Sequence, residues 1–275
     1  MATRDLQTVV FHESVLGYVD TAAMALLYFD YLLTLHMEVA YVWKSKWTLI
    51  KILFLILRYM PMATLSMVLL VDGHNSDAET CAIVTRVYAV FVTLETGMGE
   101  IILTMRTWAI WGRDHRIGLG LSIFFICKTM IGLIILSTWL KTLHYGVFFT
   151  TFGSSCALIS SSKILYVDWL LLVIFESVVC MLLAIQAFSA FRAGGVSHLA
   201  RVVYRDGLMY YLYLMMTFLL TLISIIVFPF DLVRLLSGPA HVIHVVLTAR
   251  VILHAREQAD KQFIYETPTF FAQTY

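Results

Sequence analysis

Three ionisable residues sit inside apolar runs near the amino terminus: Asp30 and Glu38 in one run, Arg58 in the next. With Thr34, the two acids follow an i, i+4, i+8 spacing and share one face of a helix. Lipid cannot hold such charges, so the stripe must face protein, and the long arginine stem can reach it. Two readings follow: an ion pair that locks the first two helices together, or a pair that breaks on activation. Further along, Glu95, Lys128 and Glu176 each fall near the middle of an apolar run. They are expected to gather as a Glu–Lys–Glu polar core that could meet a ligand. Glu95 shares a helical face with Gly99 and Arg106. With Asp30, Glu38 and Glu100 included, five acids face only Arg58 and Lys128 inside the spans. Such an excess is relieved by protonation, by water or by a bound cation.

Histidines form the other group with chemical potential. His241, His244 and Thr248 share a helical face, and His74 and His144 fall in loops at a similar level. Four imidazoles could hold zinc for an intramembrane hydrolase. However, the spacing is looser than a zinc-ligand motif, and no carboxylate is fixed beside it. The expectation is no metal, no cofactor and no enzymatic activity.

The elements that must position these residues are set by hydropathy. Of 275 residues, 60% are hydrophobic and 13% charged, about half the charge of a soluble domain, so no water-exposed surface can be built. A net charge of +1 with no basic patch excludes nucleic acid as a partner. Seven runs are long enough to cross a bilayer: 17–42, 52–71, 82–111, 117–140, 166–191, 206–228 and 237–255. The expected fold is therefore all-α: a seven-transmembrane-helix bundle over 17–255, with an extracellular segment 1–16 and a cytoplasmic tail 256–275. Pro61 is expected to kink the second helix. Twelve Lys and Arg fall in the loops of one side and four on the other, which places the amino terminus outside and the carboxyl terminus in the cytoplasm. Residues 1–17 hold Arg4, Asp5, His12 and Glu13 and no cleavable signal, so the first helix is expected to direct its own insertion. Cys81 and Cys156 then share the oxidising side, where a disulfide would pin the longest outer loop across the bundle mouth; the alternative is two separate thiols. Cys127 and Cys180 lie within spans and read as packing residues.

Two resemblances add to this. Phe29-Asp30-Tyr31-Leu32-Leu33-Thr34-Leu35, Glu38-Val39, Trp43, Lys51, Phe54-Leu55 and Arg58-Tyr59 resemble the signature of a group of basidiomycete fungal membrane proteins known only as a domain of unknown function. Met105-Arg106-Thr107-Trp108-Ala109 and Ala249-Arg250-Val251-Ile252-Leu253 are similar to later parts of that group. More loosely, the outside amino terminus, the Cys81/Cys156 pair and Arg106 resemble seven-helix G-protein-coupled receptors, a resemblance that implies Arg106 as a switch at the cytoplasmic surface. The chain departs from them at Met105, where they carry an acid, and in lacking Asn-Pro-x-x-Tyr and a central proline in the sixth helix. No lysine in the seventh helix offers a Schiff base to retinal.

The resulting expectation is an integral membrane protein of the plasma membrane or secretory pathway. It would sense a small ligand in an outer or central cavity and signal a cytoplasmic partner through the loops at 112–116 and 192–205. The alternatives are a proton- or cation-coupled transporter using the excess carboxylates, and a zinc-dependent hydrolase.

Overall fold

Each apolar run closes its backbone hydrogen bonds within itself, since hydrocarbon offers no other partner, and so each becomes a helix. The computed structural model describes residues 2–72, 78–150, 153–160, 162, 164–192, 198–228, 232 and 235–272; at 2–7, 9–10, 71–72, 78, 144–150, 153–160, 190–191, 198–207 and 261–272 the backbone alone is described. The helices are α1 (Ala2–Glu38), α2 (Leu49–Asp72), α3 (Ala78–Ile110), α4 (His115–Lys141), α5 (Leu165–Arg192), α6 (His198–Val227) and α7 (Ser237–Ala272). A single π turn, Val39–Trp43, extends α1. All seven contain a stretch long and apolar enough to cross a membrane.

Two helices run past the spans expected from hydropathy. The first helix already begins at Ala2, within the segment 1–16 assigned to an extracellular terminus, and α7 continues to Ala272 through the assigned tail. Hydropathy marks where a helix meets lipid, whereas its hydrogen bonds can continue into water. α2 also runs unbroken through Pro61. The helical class holds, and the loop between α4 and α5 adds an antiparallel hairpin, β1 (His144–Thr150) with β2 (Gly153–Ser160). The hairpin packs against α1, α2 and α3. Cys81 at the start of α3 is buried and disulfide-bonded, while Cys127 and Cys180 are free. The side chain of its expected partner, Cys156, lies outside the described residues.

Lipid explains what the outer surface shows. Leu32 and Phe188 are each 67% exposed, and many other large apolar side chains turn outward in the same way. Water would not tolerate such a belt. Inside, one aliphatic core joins α1, α2, α3 and α7 around Phe54, Leu57, Ile102 and Val245. A second joins α3 to α7 around Leu103, Phe175, Tyr211, Leu214 and Val251. α1 and α7 run parallel, because Asp20 lies against Gly238, Asp30 bonds Arg250 and Tyr41 bonds Arg256. The two ends of the bundle therefore carry different termini.

α3 touches all of α2, α4, α5 and α7. Its approach to α7 depends on Gly99: a Cβ there would overlap Cε1 of the His244 ring and lie 3.0 Å from Nε2. Gly99→Ala is expected to destabilise the protein by about 1–3 kcal/mol in detergent unfolding. Most of that loss should return in the Gly99→Ala/His244→Ala double variant. An equal loss in both backgrounds would show that the glycine does not serve this contact.

Candidate functional site

The stripe on α1 meets α2 as its spacing implies. Arg58 Nε donates to Glu38 Oε2 at 2.7 Å, one Nη lies 3.6 Å from Asp30 Oδ2, and the other donates to the Tyr31 carbonyl at 3.2 Å and to the Thr34 hydroxyl. Glu38 also accepts from Tyr59 at 2.7 Å and from the Trp43 indole at 3.0 Å. The π turn inserts an extra residue into the helix repeat, and it lies between Glu38 and Trp43, five residues apart. Tyr31 and Phe54 flank the guanidinium with their rings. Asp30, Glu38 and Arg58 are all buried, so each charge is solvated by protein alone.

Arg250 completes this network. Its Nε donates to Asp30 Oδ1 at 2.6 Å, tying α7 to α1. By charge counting it belongs to a loop, and so do Lys51 and Arg256, yet Arg250 acts inside the bundle and the other two act at the end of the first helix. Lys51 is buried and donates to the carbonyls of Trp43 (3.1 Å) and Ser45 (2.8 Å), and Arg256 donates to the Tyr41 carbonyl at 2.9 Å. The last carbonyls of a helix lack partners within it, and cations suit them.

The expected Glu95–Lys128–Glu176 core does not form as a triad. Lys128 Nζ donates to both oxygens of Glu100 at 2.5 Å. Glu95 instead meets His241, with Nε2 and Oε2 2.6 Å apart, and accepts weakly from Thr64 at 3.4 Å. Five residues separate Glu95 from Glu100, which turns the two carboxylates to different neighbours. Glu176 is fully buried, and neither of its oxygens has a partner. His244 is likewise buried with both ring nitrogens unpartnered, 5.5 Å from the Phe218 ring centroid. His74 and the side chain of His144 lie outside the described residues. Among the described residues no three His, Cys, Asp or Glu side chains converge as a metal shell.

Above this layer lies a cavity of about 190 Å³. Its wall includes Asp20, Thr93, Glu100, Lys128, Asp168 and His241, and it sits toward the end of the bundle that carries the amino terminus and the hairpin. Gly97 also lines it, and a Cβ there would meet nothing within 4 Å. Below the polar layer the two aliphatic cores fill the bundle. Arg106, the expected switch, donates to the Val251 carbonyl at 3.3 Å. The two later stretches singled out in the sequence, around Arg106 and around Val251, thus touch each other.

Seven apolar helices with charges paired inward make this an integral membrane protein. The model of a family of unknown function, DUF6533, matches residues 18–63. No curated protein matches the chain. The matched segment contains Asp30, Thr34, Glu38, Trp43, Arg58 and Tyr59, the whole network except Arg250.

The network yields a graded test by chemical unfolding in detergent. Arg58→Met leaves two buried carboxylates short of a partner and should cost about 3–5 kcal/mol. Trp43→Phe removes one of the three bonds to Glu38 and should cost about 1–2 kcal/mol. Equal, small losses would mean that water reaches the site.

Proposed function

We propose that the protein is a receptor-like sensor whose small ligand enters the cavity at the amino-terminal end. The amino terminus would lie outside the cell and the carboxyl terminus in the cytoplasm, in the plasma membrane or a secretory-pathway membrane. The observation that carries this reading is a mostly apolar cavity with charged and hydroxyl side chains on its wall, ending on a packed interior. Its floor is the Glu100–Lys128 and Glu95–His241 pairs, and beneath them lie the aliphatic side chains around Leu103, Phe175 and Leu214.

α3 supplies a route for the signal. It carries both floor carboxylates, accepts the Tyr211 hydroxyl of α6 at the Leu103 carbonyl (3.2 Å) and holds α7 through Arg106. It ends at Trp111, whose indole donates to the Leu182 carbonyl of α5 at 3.2 Å, just before the turn at Gly112 and Arg113. A shift of the floor would move α3 against three helices and displace the 112–116 turn, where a cytoplasmic signalling partner would dock. Both positive-φ residues of the chain's described part fall in that turn, at 62° each.

The second reading is a proton- or cation-coupled transporter, favoured by the unpartnered Glu176. Reconstitution separates the two. In proteoliposomes under an imposed pH or potassium gradient, flux should not exceed that of protein-free vesicles. Flux that disappears in Glu100→Gln would overturn the sensor in favour of transport. For the sensor itself, a fluorophore on Arg113→Cys, in a Cys127→Ser/Cys180→Ser background, should respond to cavity ligands from a small-molecule library. Gly97 lines the cavity at a point where an added Cβ meets nothing within 4 Å, so Gly97→Leu should abolish that response while leaving the unfolding temperature unchanged or higher.

A further inference from the structure

The charge excess expected from the sequence resolves, in the fold, to one deep residue. Asp30 has Arg58 and Arg250, Glu38 has Arg58, Glu95 has His241 and Glu100 has Lys128. Asp168 stands on the cavity wall, where water can reach it. Glu176 has no hydrogen-bond partner: it is 0% exposed and both oxygens are unbonded. Its charged surroundings are known from every helix packed against it. They are Glu100 on α3, Lys128 on α4, Tyr211 on α6 and Cys180 on α5 itself. Lys128 is the only cation in that set, and its ammonium is committed to both oxygens of Glu100.

A second observation points to the same place. His244 is also within electrostatic reach of Lys128, is fully buried, and has two ring nitrogens with no partner. The Thr129 hydroxyl, beside Lys128 on the cavity wall, is unpartnered too. Native interiors rarely leave so many polar atoms unsatisfied in one region. A carboxylate held dry without a counter-charge costs more than any neighbouring contact returns. Among the described residues no three His, Cys, Asp or Glu side chains converge here, and a lone carboxylate suits a partner of one positive charge better than a divalent metal.

We propose that Glu176 is the anionic ligand of a monovalent-cation site beneath the cavity, reached past Lys128 and Thr129 and hydrated on the side of His244. A proton or an alkali-metal ion meets the same requirement of one positive charge on one carboxylate. The site stands whether the bundle senses or transports, since it concerns what neutralises Glu176 at rest.

The test uses the full chain in lipid nanodiscs and reads the unfolding temperature. One arm varies pH with N-methylglucamine as the only other cation, and the other adds sodium or potassium at fixed pH and ionic strength. If the ion is a proton, the native state binds more protons than the unfolded state, so the unfolding temperature falls as pH rises and ignores sodium and potassium. It then also shows the infrared carbonyl stretch of a protonated carboxyl. An alkali ion gives a saturable rise with that salt and no such band. Glu176→Gln, neutral and of the same shape, should lose whichever response the wild type shows, while Asp168→Asn should keep it. A wild type that responds to neither arm would overturn the proposal, as would a response or carboxyl band that survives in Glu176→Gln. The wild-type arms decide even if that variant does not fold.

Discussion

Arg58 carries a positive charge into the hydrocarbon, and the arrangement of α1, α2 and α7 follows from keeping it solvated by protein. Its guanidinium has five donors in a fixed fork and cannot shed its proton, so acceptors must come to it. Asp30, the Tyr31 carbonyl, Thr34 and Glu38 are those acceptors, all from one face of α1. The two acids in turn need more than one arginine can give. Tyr59 and Trp43 complete Glu38, and Arg250 completes Asp30. The first two helices are thereby fixed to the last, and the bundle closes on itself.

With α1, α2 and α7 fixed, the remaining helices divide the bundle into two unlike halves. Toward the amino-terminal end lies the cavity, where Gly97 faces open space and Gly132 and Gly238 make room for the carboxylates of Asp168 and Asp20. Toward the other end, Leu103, Phe175, Tyr211 and Leu214 pack without comparable room. The Glu95–His241 and Glu100–Lys128 pairs mark the border, with Glu176 and His244 just inside it. An open pocket ending on a packed core is a division that a ligand-responsive helix such as α3 can straddle.

Much of this was legible from residue types and spacing, and the exceptions have physical causes. Asp30, Thr34 and Glu38 could be placed together because helical geometry fixes neighbours four residues apart, and Arg58 was the nearest cation able to reach them. Which acid would meet Lys128 was not legible. Glu95 and Glu100 lie on the same helix, and its rotation in the bundle, set by Gly99 against His244, decides between them. Arg250, Lys51 and Arg256 were hidden for another reason: near a helix end, hydropathy alone does not distinguish a loop charge from one that turns back to cap or pair. The hairpin at 144–160 is a short apolar run between turn residues, a pattern shared by strands and loops.

The central claim is that seven helices cross the membrane and bury their charges against one another. Parallel α1 and α7, joined by Asp30 and Arg250, require the two chain ends to emerge on opposite faces. Epitope tags on both termini, probed in intact and then permeabilised cells, examine this directly. One tag accessible before permeabilisation and the other only afterwards is the expected result. Both tags accessible from the same side would contradict it, because an even number of crossings cannot keep α1 and α7 parallel across the bilayer.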